Sequence, residues 1–440
     1  MDLRTSPTFR VAACDLNGQM RGKRVPGSYV DKLDKGAVRL PLSALNVDLW
    51  GADIEDSPLV FETGDADGVL LPTNRGTVPM PWLDGPSAAL VPMTLFTDQG
   101  APFDGDPRHA LVGVLDRFDA RGWRVMAATE MEFTLVDASG AAMVPPRNPV
   151  TGQQLDGQAI LSLAELDAFD TFFTALYDGC DAMGIPAQTA ITEGGIGQFE
   201  VALTHQDALR AADDAWLFKA LVRGLARKQG FAATFMAKPY ADDAGNGMHV
   251  HFSVLDANGK NVFDDGGPRG TNVLRAAIAG CLAAMPDSTL IFAPHINSYD
   301  RLLAGSHAPV NATWAYENRT AAIRVPGGAP VARRIEHRVA GGDVNPYLML
   351  AVVLGAALVG IEDHLVPPAP VMGNAYEATD VPRLAGSWRD AIETFQSSTL
   401  ISRLLPPRLI RNMVMMKRQE MRLFAERPPE QYWRSLLEAV

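Results

Sequence analysis

Four short stretches of the chain alternate charged and apolar residues with a period of two, and the charged residues are of the types that hold metal ions and phosphates. In GNGMHVHFSV, residues 245–254, that period puts His249, His251 and Ser253 on one face of a strand and Met248, Val250, Phe252 and Val254 on the other. In ATEMEFTLV, Glu130 and Glu132 share a face opposite Met131, Phe133 and Leu135. GQFEVAL sets Gln198 beside Glu200, and RRIEHRV sets Arg334, Glu336 and Arg338 against Ile335, His337 and Val339. Carboxylates side by side repel unless a cation lies between them. Glu130, Glu132, Glu193, Glu200 and Glu336 with His249 form an oxygen-rich donor set with one nitrogen, which suits Mg²⁺ or Mn²⁺ better than a structural zinc. Gly194, Gly195 and Gly197, between two of those glutamates, would let backbone approach a ligand closely. His251 reads equally well as a packed histidine or as part of the same face.

Five arginines, Arg301, Arg319, Arg324, Arg334 and Arg338, fall within 38 residues. The guanidinium fork matches carboxylate and phosphate oxygens in pairs. Any one of these glutamates or arginines alone reads as a solvated surface residue; the joint pattern is what argues for a funnel binding metal and phosphate. Cations and arginines around a transferable phosphate are the parts of phosphoryl transfer. There is no GxxxxGK[ST] loop, so a P-loop site is ruled out.

The elements that must position these residues are legible in outline. Residues 1–100 read as short strands and turns rich in Pro and Gly, with Asn17-Gly18 as the two-residue turn of a first hairpin. From 101 to 440 strands and helices mix without βαβ regularity, which makes the class α+β. Helices are expected at DPRHALVGVLDRFDARG, over about 161–183, over about 206–228 and near 271–284. The apolar run 347–361 falls short of the ~20 residues that span a bilayer and reads as a core helix. A net charge of −12 with no basic stripe argues against nucleic acid. Three scattered cysteines and no secretory pattern point to a reducing cytoplasm, with no membrane partner.

At these residues the chain resembles the glutamine synthetase family, over essentially its whole length. The motifs are DPR at 106, TEMEF at 129, TEGGIGQFE at 192, ATFMAKP at 233, GNGMHVH at 245, NSYDRL at 297, NRTAAIRVP at 318, RRIEHR at 333 and DVNPYL at 343. The resemblance implies an N-terminal β-grasp domain (1–100) and a catalytic domain (101–440) with a curved antiparallel sheet. It also implies stacked rings, commonly dodecamers. By the same resemblance Glu132, Glu193 and Glu200 hold one divalent metal and Glu130, His249 and Glu336 the other. Arg301 and Arg338, with the Gly245 backbone, hold L-glutamate. Arg319 and Arg324 face the phosphates, and Ser253 and Arg334 contact ATP. The implied reaction forms γ-glutamyl phosphate and ADP, after which an amine displaces phosphate. Tyr376 stands where some members are adenylylated.

The departures bear on the amine. Where glutamine synthetases carry an ammonium-binding glutamate, the loop here reads GSHAP, with His307 at that position. Their Asp-Gly-Ser-Ser element is missing, Asp48 being a loose counterpart, and Ala244 and Val331 replace a usual Asn and Lys. A neutral imidazole with a pKa of ~6.5 accepts a proton from an alkylammonium. ARRIEHRVAGGDVNPYL also resembles the γ-glutamylpolyamine synthetases. The expectation is thus an ATP-dependent glutamate–amine ligase, with ammonia-using glutamine synthetase or an inactive family member as alternatives.

Overall fold

The computed structural model describes residues 3–85, 88–303 and 308–440. Two sheets organise it. The first is built from β1 (Thr8–Cys14), β2 (Met20–Pro26), β3 (Val38–Pro41), β4 (Asp67–Pro72), β5 (Val78–Pro79) and β6 (Ala89–Phe96). Its order is β2-β1-β6-β4-β3, with β5 also on β6; β1 and β6 run parallel and the other pairs antiparallel. Phe9, Val11, Leu70, Leu95 and Phe103 form its core.

The first hairpin is not closed by a two-residue Asn17-Gly18 turn. Asp15 N–H donates to Gln19 O and Gly18 N–H donates to Asp15 O, both at 3.0 Å, leaving three residues between the paired ends. Gly18 takes the left-handed conformation such a turn needs, at φ +83°. The reason lies far away in sequence. The Asp15 carboxylate accepts the N–H groups of Asn17 and Gln19, while Asn17 donates to Glu420 and accepts from Lys417 on a C-terminal helix.

The second sheet contains β7 (Arg124–Val136), β8 (Ala187–Thr192), β9 (Gln198–Asp207), β10 (Ala232–Thr234), β11 (Met248–Leu255), β12 (Trp314–Tyr316), β13 (Ile323–Val325) and β14 (Ile335–His337). Its order is β12-β13-β14-β11-β7-β9-β8, with β10 also on β7, and it is antiparallel except for the β12–β13 pair. The apolar faces read from the sequence are those that pack: Met248, Val250, Phe252 and Val254 are all at most 1% exposed. Helices Pro107–Asp119, Ala208–Lys228, Asn272–Ala284 and Pro346–Glu362 lie where the period of 3.6 places them. The last is buried from Pro346 through Ile361, as a core helix should be, and no described helix is long and apolar enough to cross a membrane. Gly280 and Gly360 let two of these helices touch backbone to backbone; a Cβ on Gly280 would sit 2.1 Å from Ala356 O.

The helix expected over 161–183 is two helices, Leu163–Ala168 and Asp170–Met183, broken at Phe169. The Phe169 ring packs on Phe199 and Phe231 at 5.3 and 5.7 Å between centroids, so aromatic burial overrides helical continuity. The two sheets are fastened together by buried polar contacts. Arg108 pairs with Asp213 through two bonds of 2.8 and 3.1 Å, and Arg75 reaches Asp214 at 2.5 Å. Asn345 caps the core helix through Oδ1 and donates Nδ2 to Asp15 O at 2.8 Å.

Candidate active site

The charged faces meet because of strand register. Glu132 stands directly opposite Glu200 across β7 and β9, and Glu130 opposite His249 across β7 and β11. His251 and then Arg324 stand opposite Glu336 across β11, β14 and β13. Residues opposed in this way have Cβ atoms roughly 5 Å apart, and like charges so placed are destabilising. The Glu132–Glu200 pair therefore calls for a cation.

Glu130 sits between two imidazoles, His249 Nδ1 at 3.0 Å from Oε2 and His251 Nε2 at 3.0 Å from Oε1. Burial alone would raise its pKa, but those hydrogen bonds and charges outweigh burial and hold it well below the usual range. Arg334 Nε–H donates to His251 Nδ1 at 3.3 Å, which assigns the proton of a neutral His251 to Nε2, facing Glu130. His251 is thus part of the site and no bystander of the core. The remaining His249 nitrogen, Nε2, lies 3.9 Å from Glu132 Oε1. Glu132 itself accepts Gly247 N–H at 2.6 Å and Gln198 Nε2–H at 3.2 Å.

Glu193 and Glu200 behave in the opposite way. Burial, then the charge of Glu132, lifts Glu193 to about 7. Burial, then the charges of Glu130, Glu132 and Glu193, lifts Glu200 to about 9. A set of carboxylates that cannot all ionise together fits a divalent cation on chemistry alone. Donor atoms within 4.8 Å of one another form two groups among the described residues: Glu130, Glu200 and His249, and Glu130, His251 and Glu336. Glu130 stands with Glu200 in one group and with Glu336 in the other, where His251 joins them. The period-two place of His251 beside His249 was the available signal.

Glu336 is fully buried and clamped by two arginines, Arg324 Nη1 at 2.8 Å from Oε2 and Arg338 on Oε1. Burial would raise its pKa; the charges of Arg338, His249, His251 and Arg324 lower it instead. Arg301, 5% exposed, donates Nη1 to Val339 O at 2.8 Å and presses on the Gly245–Gly247 backbone. A Cβ at Gly247 would come within 2.8 Å of Arg301 Nη2 and 3.3 Å of both Glu132 Oε1 and His249 Nε2, so only glycine fits there. Arg319 is exposed, and its charge acts on Glu193. Tyr376 lies within electrostatic reach of Arg338 and Arg301. His307 lies outside the described residues. Asp48 is committed elsewhere, accepting Trp50 N–H, Ala52 N–H and Gln419 Nε2–H at 2.9 to 3.0 Å.

A cavity of about 540 Å³ is lined by Glu130, His251, Ser253 and Arg334 together with the apolar Leu203, Val331 and Ala332. Its volume falls within the range of small-molecule sites, and its lining combines charged groups with apolar surface.

The catalytic domain of glutamine synthetase matches residues 104–435. The chain belongs to the glutamine synthetase family. Within this family it is 36% identical to γ-glutamylputrescine synthetase PuuA of Escherichia coli K12, over 84% of this chain and 79% of that protein. It is 33% identical to a glutamate–isopropylamine ligase of Pseudomonas sp, covering 93% and 90% of the two chains. A solved structure of a GmaS/ADP complex superposes with a TM-score of 0.84 at 26% identity, over 99% and 97% of the chains. The mixed α+β architecture is that of the glutamine synthetase family. Val331, 70% exposed, lines the cavity, and the Ala244 methyl lies 3.9 Å from where a Gly194 Cβ would be.

Proposed function

We propose that the protein is an ATP-dependent ligase that joins the γ-carboxylate of L-glutamate to a primary amine or polyamine through γ-glutamyl phosphate. The observation that carries this is the row Glu200–Glu132, Glu130–His249 and His251–Glu336–Arg324, running across four strand pairs, with Glu130 and His251 also lining the 540 Å³ cavity. The activities for which the relatives are named, ligation of glutamate to putrescine and to isopropylamine, support the amine as acceptor.

In this reading Glu132, Glu193 and Glu200 would hold one Mg²⁺ or Mn²⁺, and Glu130, His249 and Glu336 the other, with Glu130 bordering both. Bound there, the divalent ions supply charge neutralisation at the ATP phosphates. Ser253 and Arg334 hold the nucleotide, Arg319 and Arg324 face the transferring phosphoryl group, and Arg301 and Arg338 fix glutamate beside the Gly245 backbone. The glutamate γ-carboxylate oxygen then bonds to the γ-phosphorus as ADP leaves. The amine nitrogen next bonds to the acyl carbon as phosphate leaves, with His307 taking the proton of the incoming ammonium group. His251 keeps Glu130 oriented by donating to it.

At the level of the whole molecule, residues 1–100 are read as a β-grasp domain and 101–440 as the catalytic domain, in a cytoplasmic dodecamer serving polyamine metabolism. The decisive experiment is phosphate release with glutamate, Mg²⁺ and ATP across a panel of amines. Faster release with an alkylamine or diamine than with ammonium is expected. Faster release with ammonium would make the protein a glutamine synthetase, and no release with any amine would make it an inactive member.

A further inference from the structure

Behind the substrate face lie two buried polar side chains with atoms that meet nothing. His295 is fully buried with neither ring nitrogen partnered, and Asp343, 1% exposed, leaves Oδ1 without a partner. Buried polar atoms are almost always satisfied, so each exception needs a cause. Both residues line the same small cavity of about 10 Å³, which Asn17 and Asn345 also line. That volume is about one probe sphere, room for a single water among polar neighbours.

The other Asp343 oxygen is engaged. Oδ2 accepts the Ser298 hydroxyl at 2.5 Å, and Ser298 Oγ in turn accepts the His295 backbone N–H at 3.0 Å. Ser298 opens the one-turn helix Ser298–Arg301, so this chain of bonds ends three residues from the guanidinium assigned to glutamate. Arg301 also feels the Asp343 charge directly, alongside that of Glu132. Glycine at 341 makes room for this carboxylate, since a Cβ there would stand 2.4 Å from Oδ1. Across the cavity, Asn345 and Asn17 belong to the polar contacts that seat the N-terminal hairpin turn.

We propose that Asp343 is a positioning residue for Arg301, acting through Ser298 and through one water molecule that bridges Asp343 Oδ1 to the His295 ring. Burial keeps His295 neutral, so its ring offers one N–H and one lone pair to that water. The water donates to Oδ1, and the hub sets the arginine from behind without touching substrate. The inference rests on the glutamate-binding role given to Arg301 above.

The test combines kinetics with a structure. Asp343→Ala is expected to raise KM for glutamate on the order of 10-fold, leaving KM for ATP and kcat within about 2-fold, since ground-state binding alone is loosened. Asp343→Asn keeps an acceptor for Ser298 and should recover most of that loss. Asp343→Ala combined with Arg301→Ala should be no worse than Arg301→Ala alone, because the two act in series. A crystal structure of the wild-type protein should show a water within hydrogen-bonding distance of both His295 and Asp343. Additive losses, an equal rise in both KM values, an Asn variant no better than Ala, or an empty cavity would each overturn the proposal. Should Asp343→Ala not fold, His295→Leu removes the water's partner while leaving Ser298 its acceptor, with the same outcomes expected. If the protein were an inactive member, the wild type would release no phosphate with any amine. The water and the position of Arg301 in the Asp343→Asn structure would still decide the hub.

Discussion

Adding Mg²⁺ to metal-free protein at pH 7 should release protons, and the number follows from the site. Glu193, lifted to about 7, is half protonated there, and Glu200, lifted to about 9, is almost wholly so. A divalent ion takes ionised carboxylate, so loading both residues sets free about 1.5 protons per protomer. The same linkage makes affinity steepen with pH, tightening on the order of 50-fold between pH 6 and 7. Titration calorimetry in two buffers of contrasting ionisation enthalpy, phosphate and Tris, reads the proton count directly. Identical heats in both buffers would mean that no carboxylate loses a proton, and the clustering argument for the metal site would fall.

The same shifts set the stability of the metal-free protein. Glu200 stays protonated in the fold but ionises once unfolded, so the unfolded chain binds fewer protons between about 4.5 and 9. Stability therefore falls as pH rises through that window, and melting in EDTA at pH 5, 7 and 9 should show it, with Mg²⁺ reversing the loss. Glu336→Ala leaves Arg324 and Arg338 facing each other without their shared carboxylate, and phosphate release should drop by at least about 100-fold; a variant retaining wild-type release would remove Glu336 from the mechanism. Arg108→Ala strands buried Asp213 and should cost roughly 3–5 kcal/mol in denaturant unfolding. Gly280→Ala forces apart two helices in backbone contact, and a loss of about 3 kcal/mol by the same measurement is expected.

Strand faces were legible in the sequence because side chains alternate by rule: Glu130 with Glu132, and His249 with His251, needed only counting. Which strands would neighbour one another was not. The opposition of Glu132 to Glu200, or of His251 to Glu336, is a matter of register between distant segments, and no local signal fixes it. That register is what places Glu130 in both donor groups, beside Glu200 in one and Glu336 in the other. The hairpin turn was misjudged for a related reason, since Asn17 answers to Glu420, 403 positions away. At Phe169 a helical pattern gave way to ring packing, which depends on neighbours brought in from other strands.

Asn345 holds the first turn of the innermost helix with one side-chain atom and the N-terminal hairpin with another. The stretch that matches the family's catalytic region begins at 104, yet the cap of its central helix leans on residues 15 and 16. A chain cut at 104 would keep every candidate ligand and still lose the brace beneath them. The stretch matched by homology therefore stops short of the contacts that hold its own central helix cap.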